Sequence, residues 1–352
     1  MIVFEEVLDR AVSLDASDIH LRVGLPPVLR VDGALTDLGE ELLTDDDVHA
    51  AARELSTDEQ LETLAHNGEV DFAATYQGRT RMRLNLFHQQ GHISLALRLL
   101  PLSVPTAEQL RLPKVLIEQA EKPRGLVLVT GPTGSGKSST LAALLNYINQ
   151  TRRRHIITLE APIEFVYERD QCIINQREVG ADTRSFAAGL RAALRQDPDV
   201  ILVGEMRDLE TIGTAITAAE TGHLVFATLH TKGAPNTIDR IIDAFPADQQ
   251  EQIRVQLADV IECVVGQALV PRAGGGRIAA FEILTGTPAV RNLIRQNKTF
   301  QLVSTIQTSK GQGMQLLDDA LIDLVRSGQV QLTDAMAAAN DAATLRNNVV
   351  MR

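Results

Sequence analysis

The feature that most constrains this chain is a glycine-rich segment, residues 131–138, which lies between an apolar run and a helix-forming run. Its sequence GPTGSGKS fits the pattern G-x-x-x-x-G-K-[ST]; GLVLVT precedes it and the helical segment SSTLAALLNYI begins at its last residue. A strand that enters such a loop and a helix that leaves it form the context in which this pattern binds phosphate, whereas a chance glycine-rich turn lacks that context. The segment therefore predicts a nucleotide-binding α/β domain.

The residue types in this loop indicate which ligand it binds. Glycines let backbone N–H groups close around phosphate, and the positive end of the following helix favours an anion at the same place. Lys137 can neutralise the β- and γ-phosphates, and the Ser138 hydroxyl can ligate Mg²⁺. We therefore predict ATP and Mg²⁺ as cofactors, Ser138 as a metal ligand, and a nucleotide site made of Thr133, Gly134, Ser135, Gly136, Lys137, Ser138 and Ser139.

The hydrophobic pattern divides the chain into two domains. Residues 1–100 contain short alternating stretches such as 81–86, in which Met82, Leu84 and Leu86 share one face, and they indicate a small α+β domain. Residues 101–113 contain three prolines and weak periodicity, which is typical of a linker. From 114 to 352 the runs GLVLVT, HIITLE, DVILVG and HLVFATLH are apolar without alternation, which suits a parallel sheet covered on both faces.

An acidic residue follows one of these buried strands. Residues 201–203 are predicted to form the strand, and Glu205 comes just past its C-terminal end, where α/β sheets bind ligands. The usual acid at the strand end is replaced by Gly204, and Asp199 lies at the opposite end. Glu205 can order the water molecules of Mg²⁺ or assist the attacking water. The alternative is a surface acid in a loose ion pair with Arg207.

A second strand runs into an acidic turn, TLEAPIE, in which Pro162 ends the strand. Glu160 and Glu164 can both reach the nucleotide if this strand neighbours the strand before the glycine-rich loop. One of the two carboxylates would then polarise the water that attacks the γ-phosphate. The alternative is that both acids are solvated surface residues.

Two histidines flank a third buried strand, and three arginines are candidates for charge stabilisation. His223 opens the strand and His230 closes it, so His230 lies at the end where it can reach the γ-phosphate, while His223 is equally consistent with a structural role. Arg81, Arg83 and Arg240 lie outside the glycine-rich loop and can stabilise phosphate charge from there. A solvated sheet face is the alternative for Arg81 and Arg83.

Composition excludes several classes of protein. The chain has 34 Lys and Arg against 45 Asp and Glu, a net charge of −11, with 3% aromatic residues, so nucleic acid is not an expected partner and a DNA translocase is disfavoured. Two cysteines cannot form a four-thiolate zinc site. The N-terminus lacks the features of a signal peptide and no apolar run is long enough to span a membrane, so we expect a cytoplasmic protein.

Together the motifs resemble the secretion-superfamily hexameric ATPases, and most closely their type IV pilus retraction members. The resemblance extends over nearly the whole chain. SDIHLRVGLPPVLRVDG is similar to the opening of that family's N-terminal PAS-like domain, GPTGSGKSST to its Walker A, TLEAPIEF to its acidic box, GEMRD to its Walker B region and TGHLVFATLHT to its histidine box. AVRNLIRQ, residues 289–296, is similar to a C-terminal segment associated with retraction motors.

The resemblance implies a PAS-like domain followed by a RecA-like P-loop ATPase domain with C-terminal helices. It implies a homo-hexamer, peripheral at the inner membrane, that powers pilus retraction and twitching motility by driving pilus disassembly. Its implied partners are a membrane platform protein and a paralogous retraction ATPase. It implies that Glu164 and Glu205 are catalytic acids and that His230 contacts the γ-phosphate. Three arginines lie in segments that the family links to the site, namely Arg81, Arg83 and Arg240.

Two positions depart from the family pattern. Ala161 replaces the aspartate of the acidic box, and Gln296 replaces a glutamate. Because of Ala161, a second hypothesis stays open, in which the chain is an accessory nucleotide-binding subunit with weak ATPase activity. Pilus-extension and type II secretion relatives carry a large extra N-terminal region and a four-cysteine zinc insertion, for which this chain has too few residues and too few cysteines.

The segment 289–296 also has a helical pattern. Val290, Leu293 and Ile294 would share an apolar face, while Arg291 and Arg295 would stand side by side as like charges. We interpret the segment as a transmission element to a partner rather than a catalytic one. The alternative is an ordinary amphipathic helix with a solvated basic edge.

Overall fold

The fold was analysed in a computed structural model, which describes residues 3–31, 33–100 and 103–350. Residues 101 and 102 of the predicted linker lie outside this part. The chain forms two compact units. The N-terminal unit comprises Met1–Ser103 and Pro162–Val166, and the P-loop unit comprises Val104–Ala161 and Tyr167–Arg352.

Over the residues that the structure describes, the N-terminal unit is a six-stranded antiparallel sheet with three helices. The strand order is β3-β2-β1-β6-β5-β4. The elements in chain order are α1 (Phe4–Ser13), β1 (Asp18–Arg22), β2 (Val28–Val31), β3 (Ala34–Asp37), α2 (Asp45–Leu55), α3 (Asp58–Asn67), β4 (Glu69–Tyr76), β5 (Thr80–Gln89) and β6 (His92–Leu100).

Local sequence signals account for these elements. Helix α2 begins after Thr44, whose hydroxyl accepts from the Asp47 N–H while the Asp47 carboxylate accepts from the Thr44 N–H, which is a capping box. Along β5 the predicted alternation is confirmed, because Met82, Leu84 and Leu86 are buried whereas Arg83 is exposed. The helices pack their apolar faces on the buried side of the sheet to form a single core.

The P-loop unit contains a seven-stranded sheet with helices on both faces. Its elements are α4 (Lys114–Ala120), β7 (Gly125–Thr130), α5 (Lys137–Thr151), β8 (His155–Glu160), β9 (Ile173–Glu178), α6 (Phe186–Ala193), β10 (Val200–Val203), α7 (Leu209–Glu220), β11 (Leu224–Leu229), α8 (Ala234–Asp243), α9 (Gln250–Val260), β12 (Ile261–Pro271), β13 (Arg277–Thr285), α10 (Pro288–Arg295), α11 (Leu302–Thr308), α12 (Leu317–Arg326), α13 (Leu332–Ala338) and α14 (Ala342–Val350).

The sheet of this unit is mixed rather than parallel throughout. The strand order is β13-β12-β7-β11-β10-β8-β9, and all neighbouring strands are parallel except β12 and β13. The four runs predicted to form a parallel sheet are β7, β8, β10 and β11, and each is parallel to its neighbours, so the antiparallel pair lies outside them. The antiparallel pairing has a local reason, since the glycine-rich turn between β12 and β13 closes a hairpin, and a hairpin can only be antiparallel.

Two apolar cores cover the faces of this sheet, and a third lies at its edge. One face packs against α4 and α5 and the other against α7 to α10. At the edge, α12 packs on β13 and α13 on β12, and α14 packs on these two helices around residues such as Leu321 and Leu345. We call α12 to α14 the C-terminal helical cluster.

Helix α10 contains most of the segment predicted to be helical at 289–296. Val290 and Ile294 are fully buried in the core, and Leu293 packs against it, which confirms the apolar face. The helix begins with Thr287, whose hydroxyl accepts from the Val290 N–H.

The two like charges predicted side by side on α10 each pair with an acid. Arg291 Nη2 lies 2.6 Å from Glu262 Oε1, and Arg291 Nε donates to the Gly286 carbonyl at 2.8 Å. Arg295 pairs with Asp259. Tertiary partners at the end of α9 and the start of β12 thus replace the repulsion that the helix would have in isolation.

Candidate functional site

Four neighbouring parallel strands of the P-loop unit end at the same edge of the sheet. They lie in the order β7, β11, β10 and β8. The glycine-rich loop follows β7, His230 follows β11, Glu205 comes two residues after β10, and Glu160 ends β8. The carboxyl edge of a parallel sheet is where α/β proteins bind ligands, so the topology gathers most of the predicted P-loop-unit residues there.

The end of the glycine-rich loop accepts only glycine. Gly136 caps α5 with φ of 87°, in the left-handed region. A Cβ at this position would lie 2.8 Å from Gln267 Nε2 and 3.2 Å from Leu269 Cδ1. Gln267 in turn accepts from the Thr140 hydroxyl at 2.9 Å. Strand β12 therefore shapes the loop from beside it, and Gln267 could not be predicted from the sequence because only the long-range pairing of β12 with β7 brings it there.

Polar groups of the loop fit an anionic ligand. Lys137 is 9% exposed, and its Nζ donates to the Gly131 and Pro132 carbonyls, each at 2.9 Å. The hydroxyl of Ser135 is buried and has no hydrogen-bond partner among the described residues. Such a group costs free energy unless a ligand satisfies it. A phosphate oxygen would do so next to the helix start, and the donors present therefore fit a nucleotide phosphate.

The residues predicted for the metal lie on the first turn of α5. Ser138, the second residue of this helix, is exposed, and Ser139 is half-buried. Within the described ranges, no group of three or more His, Cys, Asp or Glu side chains is arranged to hold a metal ion.

Glu205 is held by two side chains. Its Oε1 lies 2.6 Å from Arg207 Nε and 3.1 Å from His230 Nε2, and its side chain is 17% exposed. Burial raises the pKa of this carboxyl, but the hydrogen bond from Arg207 and the charge on His230 together hold the pKa below its ordinary value. The alternative interpretation of Glu205, an ion pair with Arg207, is therefore present in the structure. His230, which follows the neighbouring strand β11, contacts the same carboxylate.

The backbone explains why the acid stands at 205 and not one residue earlier. A Cβ on Gly204 would lie 2.9 Å from the Leu159 carbonyl oxygen and 3.3 Å from Glu160 Cα. The Gly204 N–H donates to that same carbonyl at 2.8 Å, and its carbonyl accepts from the Thr228 hydroxyl. A side chain at 204 would break this packing, so the first acid after β10 must follow it.

The two histidines occupy opposite ends of β11. His223 precedes the strand, and its Nδ1 lies 2.8 Å from the Ala218 carbonyl oxygen, which is a structural contact at the edge away from the loop. His230 follows the strand, is exposed, and contacts Glu205. The structure thus brings His230 and Glu205 together and leaves His223 apart from them.

Glu160 and Glu164 were predicted to reach the nucleotide if their strand neighbours the strand before the glycine-rich loop, and this condition is not met. Strand β8 does not neighbour β7, because β11 and β10 lie between them, a separation of about 14 Å at the usual strand spacing. Glu160 accepts from the Thr158 hydroxyl at 2.6 Å and from Gln176 Nε2 at 3.2 Å. Glu164 lies in Pro162–Val166, which belongs to the N-terminal unit. The role of Glu164 therefore stays a prediction.

The three arginines have different environments. Arg81 donates from Nε and Nη2 to the Ile163 carbonyl, at 3.1 and 2.7 Å, and so fastens the segment that carries Glu164 to β5. Arg83 is exposed, and its Nε lies 3.8 Å from Asp71 Oδ1. Arg240, in the last turn of α8, is exposed and forms no ion pair with any residue that the structure describes.

The chain matches the family described as type II/IV secretion system protein over residues 2–337. The type IV pilus retraction ATPase PilT of Pseudomonas aeruginosa is 49% identical over 334 residues, 95% of this chain and 97% of that protein. The type IV pilus ATPase PilU of the same organism is 39% identical over 344 residues, 97% of this chain and 90% of that protein. A crystal structure of the pilus retraction motor PilT with bound ADP has a TM-score of 0.91 at 47% identity and covers 99% of this chain and 100% of its own. The α/β fold with mixed sheets thus matches that structure.

Among the residues that the structure describes, no helix is both long and apolar enough to cross a membrane.

Proposed function

This chain belongs to the family of type II/IV secretion system proteins, and from that premise we propose that it is an ATP-hydrolysing motor that powers type IV pilus retraction. The observation that carries the proposal is the convergence of the glycine-rich loop, His230 and Glu205 at one edge of a parallel sheet. The similarity to a retraction ATPase over nearly the full length supports the direction of the motor.

The decisive experiment is carried out in cells. Deletion of the gene should abolish pilus retraction and twitching, and the wild-type chain should restore both, whereas the Lys137→Ala variant should not. Loss of pilus extension or of secretion, with retraction intact, would assign the motor to another direction or cargo.

We propose that the nucleotide binds as ATP with Mg²⁺. The backbone of residues 133–136 and the start of α5 would hold the phosphates, Lys137 would neutralise their charge, and Ser138 would ligate the metal, with Ser139 beside it. When bound, Mg²⁺ neutralises charge on the phosphate oxygens. Glu205 would hold water at the carboxyl edge, and its lowered pKa keeps it ionised for that task. His230 would contact the γ-phosphate, and Glu164 would supply the second catalytic carboxylate.

We also propose the boundaries of the domains. We assign residues 1–100 to a PAS-like domain, 101–113 to a linker and 114–352 to a RecA-like ATPase domain with C-terminal helices. A sheet backed by three helices in the N-terminal unit and a parallel sheet with a phosphate-binding loop in the P-loop unit support this assignment.

The active species is proposed to be a homo-hexamer whose sites are completed by arginines of a neighbouring subunit. Arg83 and Arg240 are exposed and suited to this role, whereas Arg81 is engaged by the Ile163 carbonyl. The test mixes an Arg81→Ala/Arg83→Ala variant with a Lys137→Ala variant. Partial recovery of ATPase activity in the mixture supports shared sites, and a fully active monomer contradicts them.

The partners are proposed from the family. They are an inner-membrane platform protein and a paralogous retraction ATPase, and the 39% identity to PilU supports a paralogue as a related motor. The location is then cytoplasmic and peripheral at the inner membrane. Co-purification of the platform protein with the wild-type chain from membranes would test this.

Helix α10 is proposed to transmit movement to a partner. Because Ile294 is fully buried, a polar residue there would unfold the core and could not test the idea. The exposed Asn292 offers a better test, because it lies on the outer side of the same helix. Asn292→Glu should leave ATP turnover intact while retraction falls, and normal retraction would show that this surface transmits nothing.

An accessory subunit with weak ATPase activity is the second candidate. Ala161 favours it, since the side chain directly after β8 lacks the carboxylate of the family pattern. Turnover of Mg·ATP by the purified chain, with the oligomeric mass measured in the same sample, distinguishes the two. Turnover that requires a partner motor would favour the accessory role.

A further inference from the structure

A buried carboxylate outside the nucleotide site joins two helices of the P-loop unit. Glu282 lies on β13 and is 4% exposed. Its Oε1 accepts from the backbone N–H of Ala234 at 2.7 Å, and the carboxylate also accepts from the backbone N–H of Leu317. Ala234 is the first residue of α8, and Leu317 is the first residue of α12. One side chain therefore caps two helices.

Both helices lack a capping side chain of their own. Their N-cap residues are Gly233 and Leu316, and neither contributes a side-chain hydrogen bond. The first N–H groups of a helix have no partner within the helix, and they favour a negative charge. Because Glu282 supplies the acceptor for both helices, the positions of their first turns depend on the same carboxylate.

The surrounding backbone leaves room for this carboxylate. Gly266 faces Glu282 in the β12–β13 pair, and a Cβ on it would lie 3.2 Å from Glu282 Cβ. A Cβ on Gly233 would lie 3.4 Å from Glu282 Oε1. Burial raises the pKa of the Glu282 carboxyl, and the two backbone hydrogen bonds oppose that rise.

The start of α8 is tied to His230 by a short loop. Three residues separate His230 from Ala234, and two hydrogen bonds fasten them to α8. The Thr231 and Thr237 hydroxyl oxygens are 2.7 Å apart, and the Thr237 hydroxyl donates to the Gly233 carbonyl at 2.8 Å. A shift of the first turn of α8 would therefore move His230, whose Nε2 lies 3.1 Å from Glu205 Oε1.

We propose that Glu282 is a positioning residue for ATP hydrolysis, which fixes the start of α8 and thereby His230 against Glu205. Through Leu317 it also links that position to the C-terminal helical cluster. The inference rests on the proposed ATPase function. Small displacements of catalytic groups cost up to about 100-fold in rate, so a residue that never touches the nucleotide can still govern turnover.

The test compares Glu282→Gln with a matched surface variant, Glu251→Gln, in the full chain. The amide oxygen can still accept from one helix start, but its NH₂ group cannot accept from the other. We expect kcat to fall about tenfold, with the Kd for a fluorescent ADP analogue within about twofold of wild type. Hydrogen exchange should accelerate at both Ala234 and Leu317. Glu251→Gln should change none of these.

A double-mutant cycle separates positioning from a loss of stability. If Glu282 acts through His230, Glu282→Gln should change kcat less than about twofold in the His230→Ala background, because the group it positions is absent. Full additivity of the two losses would overturn the inference. So would a wild-type kcat in Glu282→Gln.

A second variant covers the case in which Glu282→Gln does not fold. Thr237→Val keeps the shape of the side chain but removes the hydroxyl that fastens the loop, so it should show the same dependence on His230. A wild-type kcat in Thr237→Val would then overturn the inference. A wild-type chain without any turnover would overturn the proposed ATPase function and this inference together, whereas an active wild type with unaffected variants would overturn this inference alone.

Discussion

The two edges of the parallel sheet in the P-loop unit use the same residue types for different purposes. At the amino edge, Asp199 Oδ2 accepts from the His155 N–H at 2.8 Å, and His223 Nδ1 lies 2.8 Å from the Ala218 carbonyl oxygen. At the carboxyl edge, Glu205 and His230 contact each other through their side chains. An acid and a histidine thus occur at both edges, but only the carboxyl-edge pair is free of backbone partners among the described contacts.

The difference shows what makes a polar residue available for chemistry. A side chain that completes the backbone hydrogen bonds of its own turn cannot leave it without a loss of stability. Two side chains that contact each other at the carboxyl edge of the sheet can replace that contact by one with a ligand at little cost in stability. We therefore expect substitutions at the amino edge to lower stability and those at the carboxyl edge to lower turnover.

The largest effect is expected from Lys137→Ala. The lysine is the only cation inside the glycine-rich loop, so its loss should reduce kcat by about 1,000-fold and weaken nucleotide binding. ATPase assays and titration with a fluorescent ADP analogue measure the two effects. Lys114→Ala, at an exposed position of the same unit, is the control. Near-normal turnover of Lys137→Ala would contradict the assignment of the phosphate site.

The next effect compares the two acids directly. Glu205→Gln removes a charge without changing shape, and we expect nucleotide binding to persist while kcat falls about 100-fold. Asp199→Asn should leave kcat unchanged and lower the free energy of unfolding by about 1 kcal/mol. A silent Glu205→Gln with an inactive Asp199→Asn would reverse the comparison. Glu164→Gln belongs in the same series, and if it is silent while Glu205→Gln is inactive, Glu164 is not the catalytic base.

The carboxyl edge also shows how far the sequence alone could lead. The loop, Glu205 and His230 were predicted because each follows an apolar run, and a parallel sheet gathers such positions at one edge. The neighbour of β7 could not be predicted, because strand order depends on packing between distant segments, and it is this order that separates β8, which ends at Glu160, from β7. Gln267, Thr228 and Glu282 gave no signal either, since their roles arise from the register of β12, β11 and β13. Gly204 was noticed, but only the Leu159 carbonyl explains it.

A smaller effect is expected from the two histidines. His230→Ala should lower kcat about tenfold, because it removes the contact with Glu205 and the proposed contact with the γ-phosphate. His223→Ala should leave kcat unchanged and reduce the unfolding free energy by about 1 kcal/mol through the lost contact with Ala218. Steady-state kinetics and chemical denaturation measure both. Equal losses of kcat in the two variants would show that the edges do not differ in function.

The smallest effect concerns the pH dependence of stability. Burial raises the pKa of the Glu205 carboxyl, but Arg207 and His230 lower it below its ordinary value, so the folded state favours the ionised form. A lowered pKa contributes stability that is present above the ordinary glutamate pKa and is lost as the pH falls through the folded value. Because Arg207 is 73% exposed, solvent screens the pair, and the contribution should stay below about 1 kcal/mol. Calorimetry should find Tm of Glu205→Gln lower than that of wild type by about 1–3 °C at pH 7, and the two values should converge in acid. A gap that widens as the pH falls would contradict the interpretation of Glu205 as an ionised, side-chain-paired acid.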